Sequence, residues 1–100
     1  MPDPEVFDNA AQNRFELKSG TETAFLVYSK LHDRIRLIHT EVPVKLRGVG
    51  LGSKLVEGAL RLADLAGLKV NPQCPFVVEF LKRHPEYLHV VDPEHRRDLE

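Results

Sequence analysis

Polar and apolar side chains alternate from Arg14 to Lys18, with Phe15 and Leu17 on one side, which predicts a half-buried strand. Ser19-Gly20-Thr21 supplies turn chemistry. A second strand is predicted over Thr23–Leu31, apolar on both faces across Ala24-Phe25-Leu26-Val27-Tyr28, as a central strand is. His32-Asp33 turns the chain into a third strand, Arg34–Val42, carrying Ile35, Leu37 and Ile38. Pro43 ends it by removing a ladder donor. The three read as an antiparallel meander.

From Val49 the apolar period becomes helical. Leu51, Leu55, Ala59, Leu62 and Ala66 share one face, and Lys54, Glu57, Arg61 and Asp64 share the other, predicting a helix over residues 49–66. Gly67 stands where a left-handed cap belongs. Gly58, inside the helix, costs about 1 kcal/mol against alanine and so implies a close packing contact. Leu68–Asn71 reads as a fourth strand. Pro75 fits the first position of a second helix, Pro75–Arg83, with Phe76, Val77, Phe80 and Leu81 on its buried face. Tyr87–Val91 adds a short strand or an extended segment. The expected fold class is α+β, in the order β-β-β-α-β-α, with two helices packed on a mostly antiparallel sheet.

Residues 1–13 and 92–100 are rich in Pro and charge without periodicity and are expected to be flexible tails around a folded region at 14–91. Leu99-Glu100 has the form of a cloning remnant. A length of 100 residues implies one domain with one modest core and a shallow or open site. The net charge is -1 with both signs interspersed, which gives no electrostatic argument for nucleic acid or an anionic membrane. The single cysteine excludes an internal disulfide framework. No leader-like or membrane-spanning apolar run is present, and a cytoplasmic location is the default expectation.

Chemistry concentrates at Leu46-Arg47-Gly48-Val49-Gly50-Leu51-Gly52-Ser53, between a strand and a helix. Alternate glycines let a backbone approach a ligand. The unpaired first N–H groups of the helix, with its dipole, suit a pyrophosphate, and Arg47 can add a charge-assisted contact. The same glycines would equally serve a plain connecting turn. A Walker loop is excluded because Ser53 precedes Lys54, and a dinucleotide fingerprint because position 53 is not glycine.

The run from Val42 to Gly52 is similar to motif A of the GNAT N-acetyltransferase superfamily, Arg/Gln-x-x-Gly-x-Gly/Ala, with Arg47, Gly50 and Gly52 at the defining positions. Together with His39-Thr40, Pro72-Gln73-Cys74-Pro75-Phe76-Val77 and His84-Pro85-Glu86-Tyr87, it resembles a minimal branch of that superfamily found in bacteria and plants, over roughly residues 14–91. The resemblance implies a GNAT-like acyl-CoA N-acyltransferase fold with acetyl-CoA as substrate. It implies that backbone amides from Val49 to Ser53, with Arg47 and Gly48, hold the CoA pyrophosphate. It also implies that Thr40, Glu41 and Val42 pair with the pantetheine arm, in an opening where the third strand and the strand after the helix splay apart. The two helices that the family carries between its first strands are absent here. Those helices build much of the acceptor site, so the resemblance names no acceptor.

Transfer to an amine needs a neutral nitrogen, which for a lysine-type group at pH 7 costs roughly 4–5 kcal/mol. It also needs a proton for the departing thiolate. Cys74, expected at the cap of the second helix, is a candidate nucleophile or acid, since a helix N-terminus favours thiolate; its alternative is an inert buried hydrophobe. Tyr87 resembles the tyrosine by which such enzymes protonate the leaving thiolate, and its alternative is a packing aromatic. His39 shares a strand face with Glu41 and is of a residue type suited to act as base, or it is a satisfied core histidine. His32, His89 and His95 read as turn or tail residues, and no spacing suggests metal. The reading is an acetyl-CoA-dependent N-acetyltransferase acting on an unidentified amine, small molecule or protein. A non-catalytic acyl-CoA-binding module working with a partner protein, and a purely structural domain, are the alternatives.

Overall fold

The computed structural model describes residues 5–99. A five-stranded sheet runs in sequence order: β1 (Val6–Asn9), β2 (Arg14–Ser19), β3 (Glu22–Leu31), β4 (Arg34–Glu41) and β5 (Lys69–Pro72). The first four are antiparallel neighbours, and β5 lies parallel to β4. That parallel pairing requires a crossover, which α1 (Leu51–Leu65) supplies. From β5 the chain continues through α2 (Pro75–Arg83) and a 3-10 turn (Pro85–Val90) to Val91, which bridges Val70 in parallel. Two successive crossovers run in the same direction, and both helices pack into one core on one face of the sheet, as the right-handed crossover rule leads one to expect. Among the described residues no helix is long and apolar enough to cross a membrane.

The core fills the space between that face and the helices. Leu17, Ala24, Leu26, Ile35, Leu37 and Val70 meet Leu55, Val56, Ala59, Leu60, Val77, Phe80 and Leu81, all essentially inaccessible. Each large side chain so buried contributes roughly 1.5–3 kcal/mol. The stripe on α1 is Leu51, Leu55, Val56, Ala59, Leu60 and Ala63; Leu62 lies at its edge and Ala66 outside it. Gly67 takes the left-handed conformation expected of it, with φ +73°. Among the described residues the opposite sheet face carries no α-helix. Phe7, Glu16, Phe25 and Glu41 form one row across it, and Asn9, Arg14, Val27 and His39 the next.

The structure corrects the expectation of flexible tails. Residues 6–9 form β1, whose Val6 packs on Gly58: a Cβ there would lie 2.4 Å from Val6 Cγ2. The packing partner implied by Gly58 thus comes from the supposed lead-in. Tyr28 Oη donates to Asp8 Oδ1 at 2.5 Å, tying β1 to β3. Burial, the hydrogen bond and the Asp8 charge all push the Tyr28 hydroxyl well above the ordinary tyrosine range. At the other end Asp92 is buried, donates its backbone N–H to Val70 O, and caps α3 (Pro93–Arg96) by accepting from Glu94 N at 3.1 Å. Leu99, suspected as a remnant, is buried in the core. The expectation for residues 1–4 and 100 lies outside the described residues.

Glu16 is buried on the helix-free face under its neighbours' side chains. Asn9 Nδ2 donates to it at 3.0 Å and Arg14 Nε at 2.5 Å, while the Arg14 guanidinium lies 4.4 Å from the Phe25 ring centre. Burial disfavours its charge most strongly of any single influence. The two hydrogen bonds, with Arg14 and Lys18 as nearby cations, together outweigh that and hold the carboxyl below its ordinary pKa.

Candidate functional site

Strands β4 and β5 part at one residue. Their pairing ends at Leu37 and Pro72, and the Leu37 carbonyl accepts from both Gln73 N and Cys74 N at 3.0 Å. Beyond it β4 runs on to Glu41 paired with β3 alone. The splay expected between the third strand and the strand after the helix is therefore present in the geometry. The β3–β4 register also slips between Val27 and Tyr28, leaving Ile38 as an unpaired extra residue. Such a bulge flips the alternation downstream of it. His39 and Glu41 then face the helix-free side, and Thr40 faces the helices, opposite Leu26.

On the helix side of the parting lies a groove of about 320 Å³. Thr40, Glu41 and Val42 form one wall; Leu46, Arg47, Gly48, Gly50, Leu51, Gly52 and Ser53 the other; and Phe76 closes an end. Of the residues the sequence assigned to CoA, only Val49 is missing from this lining, its side chain being 66% exposed. Gly48 and Gly50 both have φ +81°, and nothing stands within 4 Å of where a Cβ would be. Gly50 caps α1 without a side-chain bond, no acid occupies the first turn, and the first helical bond runs from Lys54 N to Gly50 O. The amides before Lys54 are the orphan donors of a helix start. Arg47 Nε donates to Val42 O at 2.8 Å, which holds the guanidinium across the groove's rim. An anionic group such as a pyrophosphate fits this end by charge and by backbone shape.

The catalytic candidates separate. Cys74 caps α2 as expected and is 4% exposed, and Thr40 Oγ1 lies 3.2 Å from its sulfur. Tyr87 is not among the groove residues. Its ring packs on Phe80, and its hydroxyl lies towards Arg61, ten residues along α1 from Leu51, or about 15 Å at helical rise. His39 is not a core histidine: it is 59% exposed, with Nε2 2.8 Å from Glu41 Oε2. Sequence reasoning missed Phe76, assigned to the buried face of α2 but 40% exposed and lining the groove. A Cβ on Gly52 would meet its Cζ at 2.7 Å, so that glycine also makes room for the ring. Away from the groove, Asp92, Glu94 and His95 bring ligand-type atoms within 4.8 Å of one another, a proximity their expected place in a tail did not suggest. Arg34 already engages both carboxylates.

A mostly antiparallel sheet, a glycine turn opening a crossover helix and a strand that parts from its neighbour define the GNAT-like acyl-CoA N-acyltransferase fold. The sequence profile described as GCN5-related N-acetyl-transferase matches residues 14–91, and the chain belongs to that family. It is similar to protein NATD1 of Bos taurus and of Mus musculus, 33% identical in each case over 75 residues. The matched stretch is 72% of this chain, 66% of the bovine protein and 68% of the mouse protein. Among solved structures it resembles a GCN5-like protein from Staphylococcus aureus at 25% identity and TM-score 0.68, covering 92% of this chain and 91% of the other.

Proposed function

We propose that this chain binds acetyl-CoA in the groove between β4 and the start of α1 and transfers the acetyl group to an amine. The observation that carries the reading is the coincidence of two features in one groove: an anion-suited helix start and a strand edge left without a partner. Arg47 and the amides of residues 48–53 would take the pyrophosphate, and the backbone of residues 39–41 the pantetheine arm. Thr40 lines the groove with Cys74 behind it. That order supports Cys74 as a proton source for the leaving thiolate, relayed through the threonine hydroxyl, over a role as nucleophile. His39, with Nε2–H directed to Glu41, keeps Nδ1 free to take a proton from the amine on the other side of the strand. The remoteness of Tyr87 favours the second reading, a module that binds acyl-CoA without transfer.

Titrating the isotope-labelled protein with acetyl-CoA tests the site. Amides from Gly48 to Ser53 are expected to shift, and Gly50→Val to lose binding while the rest of the spectrum stays dispersed. Equal affinity in Gly50→Val overturns the assignment. Release of CoA thiol that depends on added amine separates transfer from simple binding.

A further inference from the structure

The helix-free face beside the parting strands carries chemistry that acetyl-CoA binding does not use. Arg36 is exposed there, paired across the sheet with Ser29 on one side and Asn71 on the other. His39 and Glu41, three and five residues further along β4, would lie on the opposite face in a regular strand. The extra residue Ile38 reverses that. It brings His39 opposite Val27, two residues from Ser29 on β3, so Arg36 and His39 occupy successive rows of one face, about 7 Å apart at strand rise. The point where β5 leaves β4 falls immediately after the Arg36 row.

A basin of about 530 Å³ opens on this face, bounded by Arg36, Asn71 and Ser29 at the end near the parting and by Asp92 and Glu94 at the far end. At the far end the carboxylates of Asp33, Asp92 and Glu94 all lie within 4.0 Å of Arg34, whose single charge offsets one of the three, so an anionic group is favoured only at the Arg36 end. Among the described residues the Arg36 side chain has no ion pair or hydrogen bond. It lies one row from His39 on the face away from the CoA groove.

We infer that the acceptor is a small primary amine that also carries a carboxylate or phosphate, with Arg36 holding the anionic group and His39 receiving a proton from the ammonium. This rests on the proposed acetyl-CoA reading and adds the substrate class. A guanidinium suits either anion through paired N–H donors. In the step, His39 takes one proton from the ammonium, and the freed nitrogen lone pair forms the C–N bond to the thioester carbonyl. The C–S bond breaks, and the nitrogen's surplus proton ends on the CoA sulfur. The products are an amide, CoA thiol and one proton that His39 returns to water.

The test compares matched acceptors at saturating acetyl-CoA: β-alanine against β-alaninamide, and O-phosphoethanolamine against ethanolamine, with spermidine as a purely cationic control. CoA release gives kcat and KM for the parent, Arg36→Gln and Arg36→Lys, and acetyl-CoA affinity is measured separately for each. The amide's amine deprotonates more easily, so amine basicity alone favours the uncharged partner, and a preference for the anionic one reports recognition. The expected result is a preference of about tenfold or more for the anionic acceptors, one charge-assisted contact's worth. Arg36→Gln should erase it through KM and Arg36→Lys restore it in part, with acetyl-CoA affinity unchanged throughout. Equal use of the uncharged amines or of spermidine, an unchanged preference in Arg36→Gln, or acetyl-CoA binding without transfer to any anionic amine each overturns the inference while leaving the CoA site standing. Failure to bind acetyl-CoA overturns the proposed function and this inference with it.

Discussion

Alanine at Gly58 changes sign with the residue at position 6. In the middle of α1 the substitution should gain about 1 kcal/mol of helix propensity. The new Cβ would lie 2.4 Å from Val6 Cγ2 and 2.5 Å from Val6 Cβ. The second of these is not the end of a flexible chain, so β1 itself must move by roughly an ångström or more to reach ordinary contact distance. Overpacking of that kind costs about 1–3 kcal/mol. The expected net effect in the parent is a loss of about 1 kcal/mol, read as a fall of roughly 0.3–1 M in the urea midpoint. In a Val6→Gly background both clashing atoms are gone, and Gly58→Ala should stabilise by about 1 kcal/mol. The four-variant cycle measured by urea unfolding should therefore show a coupling of about 2 kcal/mol. Stabilisation by Gly58→Ala in the parent chain would refute the packing of β1 against α1, and with it the claim that the N-terminal segment is part of the domain.

Glu16 has a folded-state pKa below its ordinary value, so the folded state holds its proton less tightly than the unfolded chain does. Its stabilising contribution is present above the ordinary glutamate range and lost as pH falls through the folded value. Glu16→Gln should accordingly lower stability at pH 7 and flatten the acid side of the stability profile; an unchanged acid limb would contradict this. Cys74, at 4% exposure, should react with iodoacetamide far more slowly in the folded chain than in urea, and rapid labelling of the folded protein would show the thiol reaching the groove directly.

The meander, α1, β5, α2 and the glycine turn were legible because each carries its own period or stop signal. What escaped had no local signature. β1 is four residues long at a sheet edge, with Phe7 and Asn9 turned to the helix-free face, so only Val6 marks the core. Edge strands are commonly this short and polar. The bulge at Ile38 arises from pairing with β3, which nothing within Arg34–Val42 discloses. The segment Tyr87–Val91, expected as extended chain, is mostly a 3-10 turn led by Pro85, with only Val91 reaching the sheet. Phe76 was assigned inward with Val77, but Val77, Phe80 and Leu81 already fill the inner arc of a nine-residue helix. The turn's part of the groove lining was legible, since glycine and arginine advertise themselves; the surroundings of Cys74, Tyr87 and His39 were not, because burial and distance decide them.

The row of β4 beyond Leu37 is a sheet edge opened inside the molecule rather than at its rim. An unpaired edge accepts any extended backbone, including that of another copy. If the pantetheine arm takes that place, the ligand guards the protein from itself: concentrated chain without acetyl-CoA should be prone to self-association through residues 38–41, and a CoA thioester should act as a solubilising additive during purification.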